Sequence, residues 1–194
     1  MGALQGFLPF LVFALVGKLL GPIPGLAGGA LASFGLLARD RLRGERALDL
    51  LEAGSAAMFT VLAALALAGD SAAWSVWRVR LCVDAGLAVV VAGSIAAGRP
   101  FTLRHARRRV RPELAATPSF LRTNAILSGV WALAFAVLAA ADLLMVLRPA
   151  SPPALAVGVT LAALAAAAWF TKWYPARARA RAAARAAGSE PAGR

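Results

Sequence analysis

Residues 121–147 read LRTNAILSGVWALAFAVLAAADLLMVL. Beyond Arg122 a single charged side chain, Asp142, interrupts an apolar run that supplies the roughly 17–25 residues a helix needs to cross a bilayer. The core helices of a soluble domain need no such length. Working outward, residues 154–172, 80–98 and 49–69 meet the same requirement. The chain is therefore expected to be an all-α, polytopic transmembrane helical bundle.

The first 38 residues are harder to read. Phe7 to Leu20 is apolar apart from Lys18, Gly21-Pro22-Ile23-Pro24-Gly25 interrupts, and Leu26 to Ala38 is apolar again. Proline fixes φ and lacks a donor, so this interruption predicts a tight turn. The expectation is a helical hairpin of two short spans, about 5–20 and 25–38, giving about six in all. A re-entrant loop, entering and leaving by one face, is the alternative. Both arrangements put the N-terminus and residue 39 on the same side. A cleaved signal peptide fits poorly, since no Lys or Arg precedes the apolar run and cleavage would leave Arg39, Arg41, Arg43 and Arg46 outside. Residues 1–174 are expected to form one transmembrane domain with a cytoplasmic amphipathic loop at 99–119. Residues 175–194 are expected to be a basic tail without fixed structure.

Composition agrees with that reading. Of 194 residues 60% are hydrophobic and 15% charged, against ~45–50% and ~25% in a typical soluble domain. The net charge of +12 would by itself suggest nucleic acid, but its placement points elsewhere. Cytoplasmic loops carry the excess of Lys and Arg. Segments 39–48, 99–122 and the region from 172 hold 17 of the 21 Lys and Arg, whereas the opposite turns hold only Arg78, Arg80 and Arg148. Both termini are therefore expected inside. Trp74, Trp77, Trp169, Trp173 and Tyr174 fall where interfacial aromatics belong.

Cys82 and His105 are the lone cysteine and histidine. A thiolate metal cage and an intrachain disulfide are excluded, and a zinc site would depend mostly on carboxylates. Phosphate-loop, dinucleotide and zincin motifs are absent from the sequence. No catalytic, cofactor-binding or metal-ligating constellation is visible, and no cofactor is expected.

Ionisable residues inside spans are costly and point to function. Lys18, Asp84 and Asp142 each fall within about 5–9 Å of the outer interface, counting about 1.5 Å per residue. Together they form a candidate intramembrane charge cluster. Three readings stand open: a proton or substrate site of a small transporter or channel, a structural ion pair, or three side chains reaching the interface separately.

Arg104, Arg107, Arg108 and Arg111 recur at the spacing of one helix face. With Phe101, Leu103, Ala106 and Val110 they predict a short amphipathic helix, ended by Pro112, lying on anionic inner-leaflet lipids. At about 1 kcal/mol per basic residue the contact would be firm. A protein-docking face is the sharper alternative, and no nucleic-acid recognition fold surrounds the patch. Gly25 with Gly29, and Ser94 with Gly98, have the small-xxx-small spacing of close helix contacts.

Phe7-Leu8-Pro9 followed by an apolar run and Lys18, then Trp77, Gly98-Arg99-Pro100, Asn124, Trp131 and Phe135, occur in an order that resembles bacterial intracellular septation protein A, the inner membrane-spanning septation family. The likeness covers roughly residues 5–147. The loop at 102–119 is richer in arginine than the family's segment, and Trp131 follows Asn124 at a wider spacing. Both spacings keep the two residues on one helix face. The resemblance implies a multi-pass protein of the bacterial plasma (inner) membrane with a non-enzymatic role in envelope biogenesis or septation. It would act through lipids or through membrane proteins of envelope synthesis and division. Phe7, Pro9, Lys18, Pro100, Asn124 and Trp131 are the positions it marks as structural or interaction determinants.

Overall fold

The computed structural model describes residues 6–44, 50–69, 74–107 and 110–188, without the side chains of residues 50, 104, 105 and 182–188. Every regular element among them is helical: α1 (Leu8–Leu20), α2 (Pro22–Leu42), α3 (Leu50–Ala68), α4 (Val76–Ala96), α5 (Phe101–Arg107), α6 (Pro112–Ala115), α7 (Pro118–Leu147) and α8 (Pro153–Gly188).

Proline sets where several of these helices begin. The first N–H groups of a helix have no intrahelical acceptor, so a residue without a donor costs nothing there. Pro22, Pro112, Pro118 and Pro153 each open a helix. This revises the reading of residues 21–25. The turn is the single residue Gly21, at φ +103°, and both Pro22 and Pro24 already belong to the first turn of α2. Pro112 likewise begins α6 and does not close the preceding helix. Hydroxyls cap the starts of α4 and α7: that of Ser75 accepts from the Arg78 N–H at 3.3 Å, and that of Thr117, just before Pro118, from the Phe120 N–H at 3.4 Å.

At the end of α4, Gly98 adopts φ +67°, the Gly98 N–H donates to Ile95 O, and the Arg99 N–H donates to Ser94 O, both at 2.9 Å. This is a Schellman stop, which glycine reaches without strain and which the following Pro100 makes permanent. The Ser94-to-Gly98 spacing thus ends a helix, and a Cβ at Gly98 would meet nothing within 4 Å.

Gly25 and Gly29 do serve close approach. A Cβ on Gly25 would stand 2.9 Å from Gly17 Cα and from the Phe13 carbonyl, so α1 and α2 touch backbone to backbone. On Gly29 it would stand 2.7 Å from the Phe59 ring of α3. Ile23, beside the hairpin's tip, packs with Leu26, Phe59, Ala66, Val79 and Val83, where α3 ends and α4 starts. Phe7, at its base, packs with Leu51, Val91, Phe101 and Phe135 at the other end of the bundle. The hairpin therefore runs from one end of α3 to the other.

Among the described residues four helices are long and apolar enough to cross a membrane: Leu51–Ala68, Val76–Ala96, Pro118–Leu147 and Pro153–Arg181. At about 20 Å for its 13 residues, α1 is shorter than the ~30 Å hydrocarbon layer. The exterior is apolar along the bundle, with Leu15, Leu31, Val61, Val89, Leu133 and Leu161 each more than half exposed. In water such a surface would aggregate; in lipid it is solvated. The architecture is an all-helical bundle whose long apolar helices and apolar exterior fit a membrane.

The C-terminal region differs from the expected tail. α8 runs on through Pro175 to Gly188 as one 36-residue helix. Alanine and arginine, both strong helix formers, fill the stretch after Pro175. Residues 189–194 lie outside the described residues.

Candidate functional site

Arg80 and Asp84 are one turn apart on α4, so their side chains share a face. That face meets α7, where Asp142 is fully buried. The Arg80 Nε lies 3.3 Å from Asp142 Oδ1. From the same guanidinium Nη2 donates to the Thr160 hydroxyl of α8 at 3.3 Å. Its Cζ stands 5.3 Å from the centroid of the Trp77 ring. Asp84 is partly exposed, and its carboxyl faces that of Asp142 closely enough for the two charges to act on each other. Neither Asp142 oxygen has a hydrogen-bond donor. Ala141, Met145 and Ala156 close over this end, with Trp77 and Val159 packed against them.

The structure thus brings Asp84 and Asp142 together but places Lys18 elsewhere, exposed on α1. The cation beside the acids is Arg80. Sequence reasoning had left Arg80 in an external turn, although its i, i+4 spacing from Asp84 and the adjacent Trp77 were the available signal.

At the opposite end, hydroxyls dock α5 onto α4 and α7. The Phe101 N–H donates to Ser94 Oγ at 3.2 Å, Thr102 Oγ1 donates to the Asn124 carbonyl at 3.0 Å, and Thr102 Oγ1 and Ser128 Oγ lie 3.0 Å apart. Phe101 and Leu103 are buried by this docking. The apolar side of α5 therefore faces the bundle, where a leaflet-facing helix had been expected. Nor does one helical face run from Arg104 to Arg111. α5 ends at Arg107, and Arg111 has extended backbone as the N-cap of α6. Pro112 sets that break, because proline biases the residue before it away from helix. Arg107 and Arg111 are both exposed. The side chain of Arg104 and the whole of Arg108 lie outside the described residues. An open cleft lined by Arg107, Val110, Pro112, Ala115 and Ala116 lies beside them, away from the acid pair.

Several positions singled out by the family likeness meet here. Phe7 packs against Trp131 with centroids 5.3 Å apart and against Phe101, edge-on, and Phe135 at 6.4 Å. Trp131 Nε1 donates to Thr171 Oγ1 of α8 at 3.0 Å. Pro9 and Pro100 are buried. Buried Asn124 donates from Nδ2 to the Phe120 carbonyl at 2.9 Å, while its Oδ1 has no partner. The contribution of Ser94, Thr102, Ser128 and Thr171 escaped the sequence reading, because single hydroxyls in apolar runs carry no periodic signal.

Thr102→Val tests the docking. It keeps the shape but removes the hydroxyl that donates to the Asn124 backbone carbonyl and pairs with Ser128 Oγ, and a lost buried partner costs about 1–3 kcal/mol. The expected result is faster proteolysis between Arg107 and Arg111 with the rest of the bundle still protected. Cleavage at the wild-type rate would separate the hydroxyl contacts from α5 docking.

Among the described residues no group of three or more His, Cys, Asp or Glu gathers in a metal-holding arrangement. The chemistry available is charge pairing at one end and an exposed basic surface at the other. Compared with protein-family models, with curated proteins and with solved structures, the chain matches none.

Proposed function

We propose that the chain is a six-span protein of the bacterial plasma (inner) membrane, with both termini in the cytoplasm and a non-enzymatic role in envelope biogenesis or septation. It acts by presenting a basic cytoplasmic surface to anionic lipids and to membrane proteins of envelope synthesis or division. The observation that carries this reading is the sorting of charge between the two ends of the bundle. At one end Arg43, Arg99, Arg107, Arg111 and Arg122 are exposed, and Arg177 lies over the ring of Trp173, one turn before it on α8. At the other, fewer cations are exposed among the described residues, namely Lys18, Arg78 and Arg148, and Arg80 is turned inward onto Asp142. Exposed cations on one face suit an anionic leaflet or an acidic partner, and paired, buried charges suit packing. The septation role rests on the family likeness.

A photo-crosslinker at position 107 or 111, compared with Arg107→Glu and Arg111→Glu variants, tests the reading in cells. Enrichment of envelope or division proteins that the charge-reversed variants lose is the expected result. Equal recovery from an unrelated polytopic protein would remove the scaffold role. The second reading, a small transporter or channel, draws on Asp84 and Asp142 alone among its three residues, because Lys18 stands apart.

A further inference from the structure

We propose that the end of α8 holds the headgroup of an anionic phospholipid, such as phosphatidylglycerol, between Arg177 and Arg179 and beyond the stacked rings of Trp169 and Trp173. The inference rests on the reading that this end of the bundle meets an anionic leaflet, and it narrows that contact to one helix. Depth comes first. About 20 residues from Pro153, a rise of about 30 Å, carry α8 across the hydrocarbon layer to Lys172 and Trp173. The residues that follow stand at the level of the lipid phosphates.

The outward side of α8 is open at that level. Ala156 and Ala167 are buried, and Thr171 is bonded to Trp131 of α7, so these three mark the inward side. Trp169, two positions from Ala167 and from Thr171, points the other way by helical geometry. It is 61% exposed, and Trp173, stacked on it with centroids 5.4 Å apart, is 38% exposed. Paired indoles at this depth suit the glycerol and upper acyl region of a lipid.

Two guanidiniums lie just beyond them. Arg177 Cζ stands 5.3 Å from the centroid of the Trp173 ring, and Arg179 Nε donates to the Pro175 carbonyl at 3.3 Å. Both side chains are thus drawn back toward the membrane. Stacking occupies the face of the Arg177 fork and leaves its edge, where the N–H donors point, for a phosphate. Arg177 and Arg179, two positions apart, flank a strip made by the exposed Ala176 and Ala180. Exposed Lys172, two turns before Arg179, adds a cation on the same flank. α8 contains no Asp or Glu, and among the described residues none of these cations pairs with a carboxylate. Unneutralised cations beyond an aromatic wall match a lipid with a negative head and apolar chains. A choline head would bring its own cation to the same place.

The test places the purified full chain in phosphatidylcholine nanodiscs and reads tryptophan fluorescence. Acyl-brominated phosphatidylglycerol, which quenches an indole it touches, is compared with acyl-brominated phosphatidylcholine at the same mole fraction. Stronger quenching by the anionic lipid is expected in the wild type. The excess should vanish when Trp169 and Trp173 are both changed to Phe. Arg177→Gln is expected to lower the preference about fivefold, the contribution of one basic residue at an anionic surface. Arg179→Gln should lower it similarly. Both arginines are exposed, and an unchanged Tm confirms that the variants fold. Equal quenching by the two lipids, as a second copy or an acidic protein on this face would give, overturns the site. So does an excess that survives in the double arginine variant or in the double tryptophan variant. Lost preference with crosslinking at 107 and 111 intact would strike this site alone. Lost crosslinking with the preference kept would strike the scaffold role alone.

Discussion

Arg80→Leu is expected to cost about 3–5 kcal/mol of unfolding free energy, the cost of breaking a buried ion pair by removing one partner. The guanidinium is the cation next to a fully buried Asp142, and its removal strands that carboxyl against Asp84. It also frees the Thr160 hydroxyl that ties α8 to α4. Replacing both partners, Arg80→Leu with Asp142→Leu, should recover much of the loss, because an apolar pair of similar volume pays no desolvation. A denaturant titration of the two singles and the double gives the coupling directly. Simple additivity would mean that the pair contributes nothing as a pair.

Gly25→Leu should be the second most damaging change. Overpacking usually costs about 1–3 kcal/mol, and the obstruction here is backbone on both sides: Gly17 Cα and the Phe13 carbonyl at 2.9 Å. No rotamer relieves that clash, so the expected cost lies at the top of the range, with α1 pushed off α2. Gly35→Ala in the same helix is the control. A Cβ there meets nothing within 4 Å, and the gain in helix propensity is roughly 1 kcal/mol. Opposite shifts in the two variants would locate the effect at the crossing. Equal shifts would show that glycine acts through propensity alone.

The long helices were legible because a bilayer demands length and apolarity together, and residues 49–69, 80–98, 121–147 and 154–172 supply both. The common level of Asp84 and Asp142 was legible for a similar reason: position along a helix of known rise fixes height. Rotation about the helix is a different quantity. Which side of α1 carries Lys18 depends on where Gly17 meets Gly25, and only the packed pair determines that. Hence the acids were grouped with the wrong cation. Pro22 and Pro24 were read as a turn because proline breaks helices in their interior; at a start it is harmless, and sequence alone does not say which applies. The loop at 99–119 misled through its arginines. Their spacing fits one face, but the polar contacts of Thr102 and the buried Phe101 set the orientation of α5. Residues 175–194 are expected to be a tail without fixed structure, yet the alanines and arginines after Pro175 prefer helix and continue α8 to Gly188.

α8 shows what two hydroxyls accomplish. Thr160 accepts from Arg80 on α4, and Thr171 accepts from Trp131 on α7. Eleven positions separate them, which is close to three full turns, so both point the same way and lie about 16 Å apart along the axis. A smooth apolar rod beside another has two loose degrees of freedom, sliding and spinning. Two anchoring points on one generatrix remove both. Shifting α8 by one residue would swing each hydroxyl about 100° out of reach. Helix α8 thus carries its own alignment marks.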